Sequence, residues 1–105
     1  MSNSRLDILL QSLQQNPGDP FTRYLVALEY VKLYQASEAF AQFQILVEKH
    51  PDYVPTYYQY AITLEKEGRV NEARRIFQLG VTAAAKAGDW HAKSELMEAL
   101  DLLEE

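Results

Sequence analysis

The residues able to do chemistry in this chain are few and poorly spaced for it. Its two histidines, His50 and His91, stand 41 positions apart, and there is no cysteine in the 105 residues. Neither histidine falls in a zinc-type spacing, and no thiolate is present as ligand or nucleophile. His50 precedes Pro51 at the end of a helical pattern, where a partial positive charge complements the helix dipole. The four glycines, at 18, 68, 80 and 88, form no phosphate loop or dinucleotide fingerprint, and no Gly-x-Ser-x-Gly elbow occurs. Acidic pairs such as Glu65/Glu67 and Glu104/Glu105 read as solvated faces rather than an acid/base dyad. The expectation is a non-catalytic protein with no cofactor and no metal.

Seven tyrosines are a surplus for this length. Tyr30, Tyr57 and Tyr60 fall at core phases of helical patterns, with their hydroxyls reaching outward. Tyr24 and Tyr58 fall on the outward side, where an aromatic ring serves recognition, or else shields the surface it stands on or meets an identical chain.

The elements that must position these rings are set by an internal repeat. At an offset of 34, ten of the 35 positions from 17 to 51 match their partners, against about two expected from average usage. The identities include Pro17/Pro51, Thr22/Thr56, Tyr24/Tyr58, Ala27/Ala61, Ala39/Ala73 and Phe43/Phe77. Each period holds two helical patterns and a short break. Asp19-Pro20 offers an N-cap followed by a proline at the first helical position. Val26, Ala27, Tyr30 and Val31 then recur at three-to-four spacing, and Phe40, Phe43 and Val47 resume the pattern after the break. Ser37 and Asn71, one period apart, are expected to cap the second helix of each pair. Gly68 suits a left-handed helix end, and Tyr34, in the same phase, costs about 1 kcal/mol if it adopts that conformation.

The ends read as partial repeats. Leu6, Leu9 and Leu13 share the phase of Phe40, Phe43 and Val47. Gly88-Asp89 closes one helix and caps another, with a stripe of Ala92, Leu96, Ala99/Leu100 and Leu103. Six helices result, over 4–15, 20–34, 37–49, 55–67, 71–87 and 89–103. The predicted fold is all-α, a right-handed superhelical solenoid of antiparallel helix pairs. One domain spans 1–105: an N-terminal half-repeat (4–15), repeats over 20–53 and 54–88, and a C-terminal capping helix (89–105).

These features resemble the tetratricopeptide repeat family: a 34-residue helix-turn-helix period, a small residue at the tight crossing, an aromatic one turn later and a proline after the second helix. Tyr57, Tyr60, Ala61, Leu64, Gly68, Ala73, Phe77 and Gly80 carry the likeness in one unit, and Val26, Ala27, Tyr30, Ala39, Phe43, Leu46 and Pro51 in the other. The chain departs from the pattern at Arg23, where a large aromatic is usual, at Tyr34 for glycine, and at Ala85, where the proline is lost and a longer helix runs into Gly88. By this resemblance the first helix of each pair lines a concave, peptide-binding groove. It would comprise Phe21, Tyr24, Leu28, Val31 and Lys32, then Pro55, Tyr58, Ile62, Glu65 and Lys66, extended by Ser94, Glu98 and Asp101. Family members that clamp a C-terminal carboxylate use Lys and Asn where this chain has Tyr24, Leu28, Tyr58 and Ile62, so that ligand is not expected. The expected partner is a protein segment, apolar with some basic residues; the alternative is a homo-oligomer, such as a homodimer, that covers its own stacking faces.

Charge sharpens the partner class. The net charge of -5 disfavours nucleic acid, which calls for a basic footprint. Residues 1–88 carry nine basic and nine acidic side chains, whereas 89–105 carry six acids against Lys93, which is the entire -5. Asp7 interrupts the N-terminal apolar stretch, which therefore does not read as a signal peptide, and no apolar run reaches membrane-spanning length. The expected location is the cytoplasm, away from membranes.

Overall fold

The computed structural model describes residues 4–104. Met1 to Asn3, at the head of the N-terminal segment, and Glu105, of the acidic pair, lie outside the described residues. Six helices follow in order: α1 (Arg5–Gln15), α2 (Pro20–Lys32), α3 (Ala36–Lys49), α4 (Pro55–Lys66), α5 (Val70–Ala87) and α6 (Trp90–Glu104). Every end lies within two residues of its predicted place, and the described residues contain no strand. Proline at the first helical position of α2 and α4 fixes where those helices begin.

The chain forms two compact units, Met1–His50 and Pro51–Glu105. In the first, α2 packs against α1 and α3; in the second, α5 packs against α4 and α6. The first core holds Leu13, Val26, Ala27, Ala39, Phe43 and Leu46, all buried. Ala27 and Ala39 are fully enclosed and leave room for a close α2–α3 contact, while Phe43 supplies the bulk. The second core repeats the scheme with Ala61, Ala73 and Phe77 and adds Tyr57, Tyr60, Leu64, Ile76, Ala84 and Leu96. Gly80 marks a close crossing in it. A Cβ there would lie 2.6 Å from Tyr57 Cβ and 3.1 Å from both Leu96 methyl groups.

Three helix corners share one construction. At the end of α2, Tyr34 takes φ 61°, its N–H donates to the Val31 carbonyl (3.0 Å), and the Gln35 N–H donates to Tyr30 (2.9 Å). Gly68 (φ 79°) with Arg69 ends α4 in the same way, and Gly88 (φ 70°) with Asp89 ends α5. This is the paired 6→1 and 5→2 bonding of a Schellman motif. The residue after each left-handed position at once opens the next helix. Gln35, Arg69 and Asp89 accept from the N–H groups of Ala39, Ala73 and Lys93 at 3.1, 2.9 and 3.0 Å.

That economy corrects the expected caps. Ser37 and Asn71 are not N-caps; each stands at the second helical position, and the cap positions belong to Gln35 and Arg69, whose side chains make no capping bond. A single residue separates the left-handed turn from the next helix, so a hydroxyl or amide two residues later arrives too late. Asn71 Oδ1 instead accepts from Arg74 Nη1 at 2.7 Å. Asp89 keeps the predicted role, its carboxylate accepting from the Ala92 N–H at 3.1 Å.

Candidate functional site

Helix α2 is positioned by its cap. The Asp19 carboxylate accepts from the Thr22 hydroxyl (2.6 Å) and N–H (3.3 Å). The hydroxyl bond is the main reason the Asp19 carboxyl is held below the ordinary carboxylate range. With the start fixed, Val26, Ala27 and Glu29 turn inward. Glu29, an acid in the core, meets the Arg5 guanidinium of α1 at 3.2 Å. Of the five predicted groove residues on this helix, Phe21 and Lys32 are exposed, and Tyr24, Leu28 and Val31 are half-buried.

Helix α4 repeats the division within the second unit. Thr56, Tyr57, Tyr60, Ala61, Thr63 and Leu64 are buried. Pro55, Tyr58, Glu65 and Lys66 are exposed and Ile62 is half-buried. Tyr58 is 39% exposed, yet its ring meets the buried Phe77 edge-on, with centroids 6.3 Å apart at 65°. It is a surface ring anchored in the core, a role its outward phase alone does not reveal. On α6, Ser94, Glu98 and Asp101 are exposed as well. All ten residues assigned to the groove on α2 and α4 thus stay out of the core, five on each unit.

The two repeats differ at one polar joint that sequence reasoning missed. Tyr57 donates its hydroxyl to the Pro51 carbonyl at 2.5 Å. One period earlier Arg23 does the same work, Nη2 donating to the Pro17 carbonyl at 3.2 Å while Nη1 reaches Gln42 Oε1 at 2.6 Å. Arg23 therefore fills the place of the expected aromatic as a stitch from α2 to α3 and to the preceding loop. Beside it opens a cleft of about 290 Å³, lined by Pro17, Gly18, Arg23, Ile45, Lys49 and His50. Reading the two periods against each other, Arg23/Tyr57, Lys49/Ala83 and His50/Ala84, carries the signal.

Among the described residues no group of three or more His, Asp or Glu side chains is placed to hold a metal ion. No helix among them is long and apolar enough to cross a membrane.

Tandem helical hairpins with small residues at their crossings and a left-handed corner inside each period define a helical-repeat protein. In a solution structure of a tetratricopeptide repeat domain protein from Salinibacter ruber the likeness is close: 40% identity, TM-score 0.81, covering 85% of this chain and 90% of that one. A crystal structure of a tetratricopeptide repeat domain protein from the same organism gives 41% identity and TM-score 0.78 over 82% and 97% of the two chains. A protein from Bordetella parapertussis shares the fold at 22% identity, with TM-score 0.82 over 97% and 89%. The chain belongs to the tetratricopeptide repeat family. No family model matches it, and neither does any curated protein.

Proposed function

We propose that this protein is a non-catalytic interaction module that docks partner segments on a helix face present in each unit, that of α2 in the first and that of α4 in the second. Support comes first from the family, whose members typically act as protein-interaction modules. The observation that carries the finer reading is the set of apolar and aromatic side chains kept at the surface of both helices. Phe21 at 54% exposure is a large ring in water where folding alone does not favour one, and Tyr58, though its edge is held by Phe77, still presents 39% of its surface. Aromatic side chains so placed are the usual anchors of a protein interface. Lys32, Glu65 and Lys66 would supply a polar rim.

The test is affinity purification from the native host with wild type and a Phe21→Ala/Tyr58→Ala variant, followed by titration of the retained partner. Binding weaker by at least about 10-fold in the variant, roughly 1.4 kcal/mol, with the helical circular dichroism unchanged, is the expected result. Equal retention by a folded variant sinks this reading. A second reading, self-association, draws on α6, which leaves Trp90, Met97 and Leu102 at 62%, 46% and 64% exposure. Sedimentation at micromolar concentration decides it, because a strict monomer removes that alternative.

A further inference from the structure

We propose that the cleft of the first unit is a binding site for a phosphate-class oxyanion. Three of its six lining residues, Arg23, Lys49 and His50, are basic. The repeat supplies an internal control, since the same positions one period later are Tyr57, Ala83 and Ala84. A hairpin of this kind folds without these basic side chains, so any of them that local electrostatics leaves unexplained calls for another reason. Helix-end electrostatics accounts for Lys49 and His50, at the C-terminal end of α3, but not for Arg23. That residue stands in the first turn of α2, where the dipole opposes a cation. The proline carbonyl does not demand arginine either, because the Tyr57 hydroxyl satisfies Pro51 without charge.

What arginine adds is charge and spare donors. Bonds to Gln42 and Pro17 fix the guanidinium, and its remaining N–H groups are free to form the forked contacts that suit phosphate. The Asp19 carboxylate, on which His50 acts, keeps its charge while it accepts from Thr22, so the anion is held chiefly by Arg23 and Lys49. A volume of about 290 Å³ is at or below the usual range for sites enclosing drug-sized molecules, which fits a small anion or the head of a phosphorylated side chain. Two negative charges suit an arginine and a lysine lining one cleft better than the single charge of a carboxylate.

The experiment is an amide NMR titration of the full chain with inorganic phosphate at constant ionic strength. Saturable shifts confined to residues 17–23 and 45–50 are expected. Lys49→Gln, at an exposed position, should weaken the affinity by at least about 5-fold, and Arg23→Lys, which keeps the charge and loses the fork, by a similar factor. Phosphoserine distinguishes the sources: tighter binding than inorganic phosphate assigns the site to a phosphorylated side chain, and equal or weaker binding to free phosphate. Scattered or unsaturable shifts overturn the proposal. So does an affinity unchanged in folded Lys49→Gln, or acetate binding as tightly as phosphate.

Discussion

Tyr34 holds a φ of 61° with 94% of its surface in water, so it bears the strain of a left-handed residue and gains almost no packing in return. Tyr34→Gly should therefore stabilise the protein by about 1 kcal/mol, read as a higher urea midpoint at unchanged slope. Thr56 presents a related imbalance. Its hydroxyl is fully buried without a hydrogen-bond partner, whereas Thr22, one period earlier, donates to Asp19. The repeat kept the threonine and placed Tyr53 where the carboxylate would be. Thr56→Val keeps the shape and removes the orphan group, for an expected gain of about 1 kcal/mol in the same measurement. Tyr57 titrates in the opposite sense to a paired acid. Burial, then the Asp52 carboxylate, pushes its phenol above 10, so folding favours the neutral form. The stability this preference contributes is complete below the unfolded value of about 10 and is lost as pH rises through the folded one. Tyr57→Phe should cost about 1 kcal/mol near neutrality through the lost Pro51 bond, with the gap to wild type closing in alkaline solution.

Among the elements, α5 gives the sharpest trial of the packing. Gly80 lies inside a helix, where alanine is ordinarily better by about 1 kcal/mol. Here the added methyl would stand 2.6 Å from Tyr57 Cβ, an atom fixed to the backbone of α4 and unable to swing aside. Overpacking of this sort costs about 1–3 kcal/mol, so Gly80→Ala should lower thermal stability despite its propensity. The first unit meets the same position with a fully buried Leu46, and it carries Arg23 and Gln42 where the second has Tyr57 and Ile76. Helix boundaries were legible because proline, left-handed corners and apolar phase all mark them locally. The caps at Gln35 and Arg69 were not, since the overlap of a Schellman end with the next helix start is a matter of backbone bonding that no side chain announces. Tyr58's hold on Phe77 and the Arg23–Gln42 stitch escaped for a similar reason: both join residues 19 positions apart, and helical phase says nothing about partners across a hairpin.

Over the whole molecule the charge is divided unevenly, with the full -5 arising in 89–105. Along α6, Glu95, Glu98 and Asp101 follow one another at three-residue spacing, where like charges repel, and the last turn carries no basic residue to offset the dipole. Arg74 reaches across from α5 to Glu104 at 2.5 Å, and Lys93 sits 5.4 Å from the centre of the Trp90 ring. Those contacts relieve one acid and occupy the helix's one lysine, and His91, 3.5 Å from Glu95, offsets a second acid only when protonated, so Glu98 and Asp101 keep the middle of the helix unbalanced. Screening should then favour the folded state: adding salt from about 0.01 to 0.5 M, which shortens the Debye length from about 30 Å to a few ångströms, should raise the melting temperature. Were exposed ion pairs the larger factor, the same salt would lower it. Glu98→Lys turns both repulsive neighbours into attractive ones, so the variant should melt higher than wild type at low salt and show a flatter salt dependence. A variant whose melting temperature rises with salt as steeply as wild type would place the repulsion elsewhere than on α6.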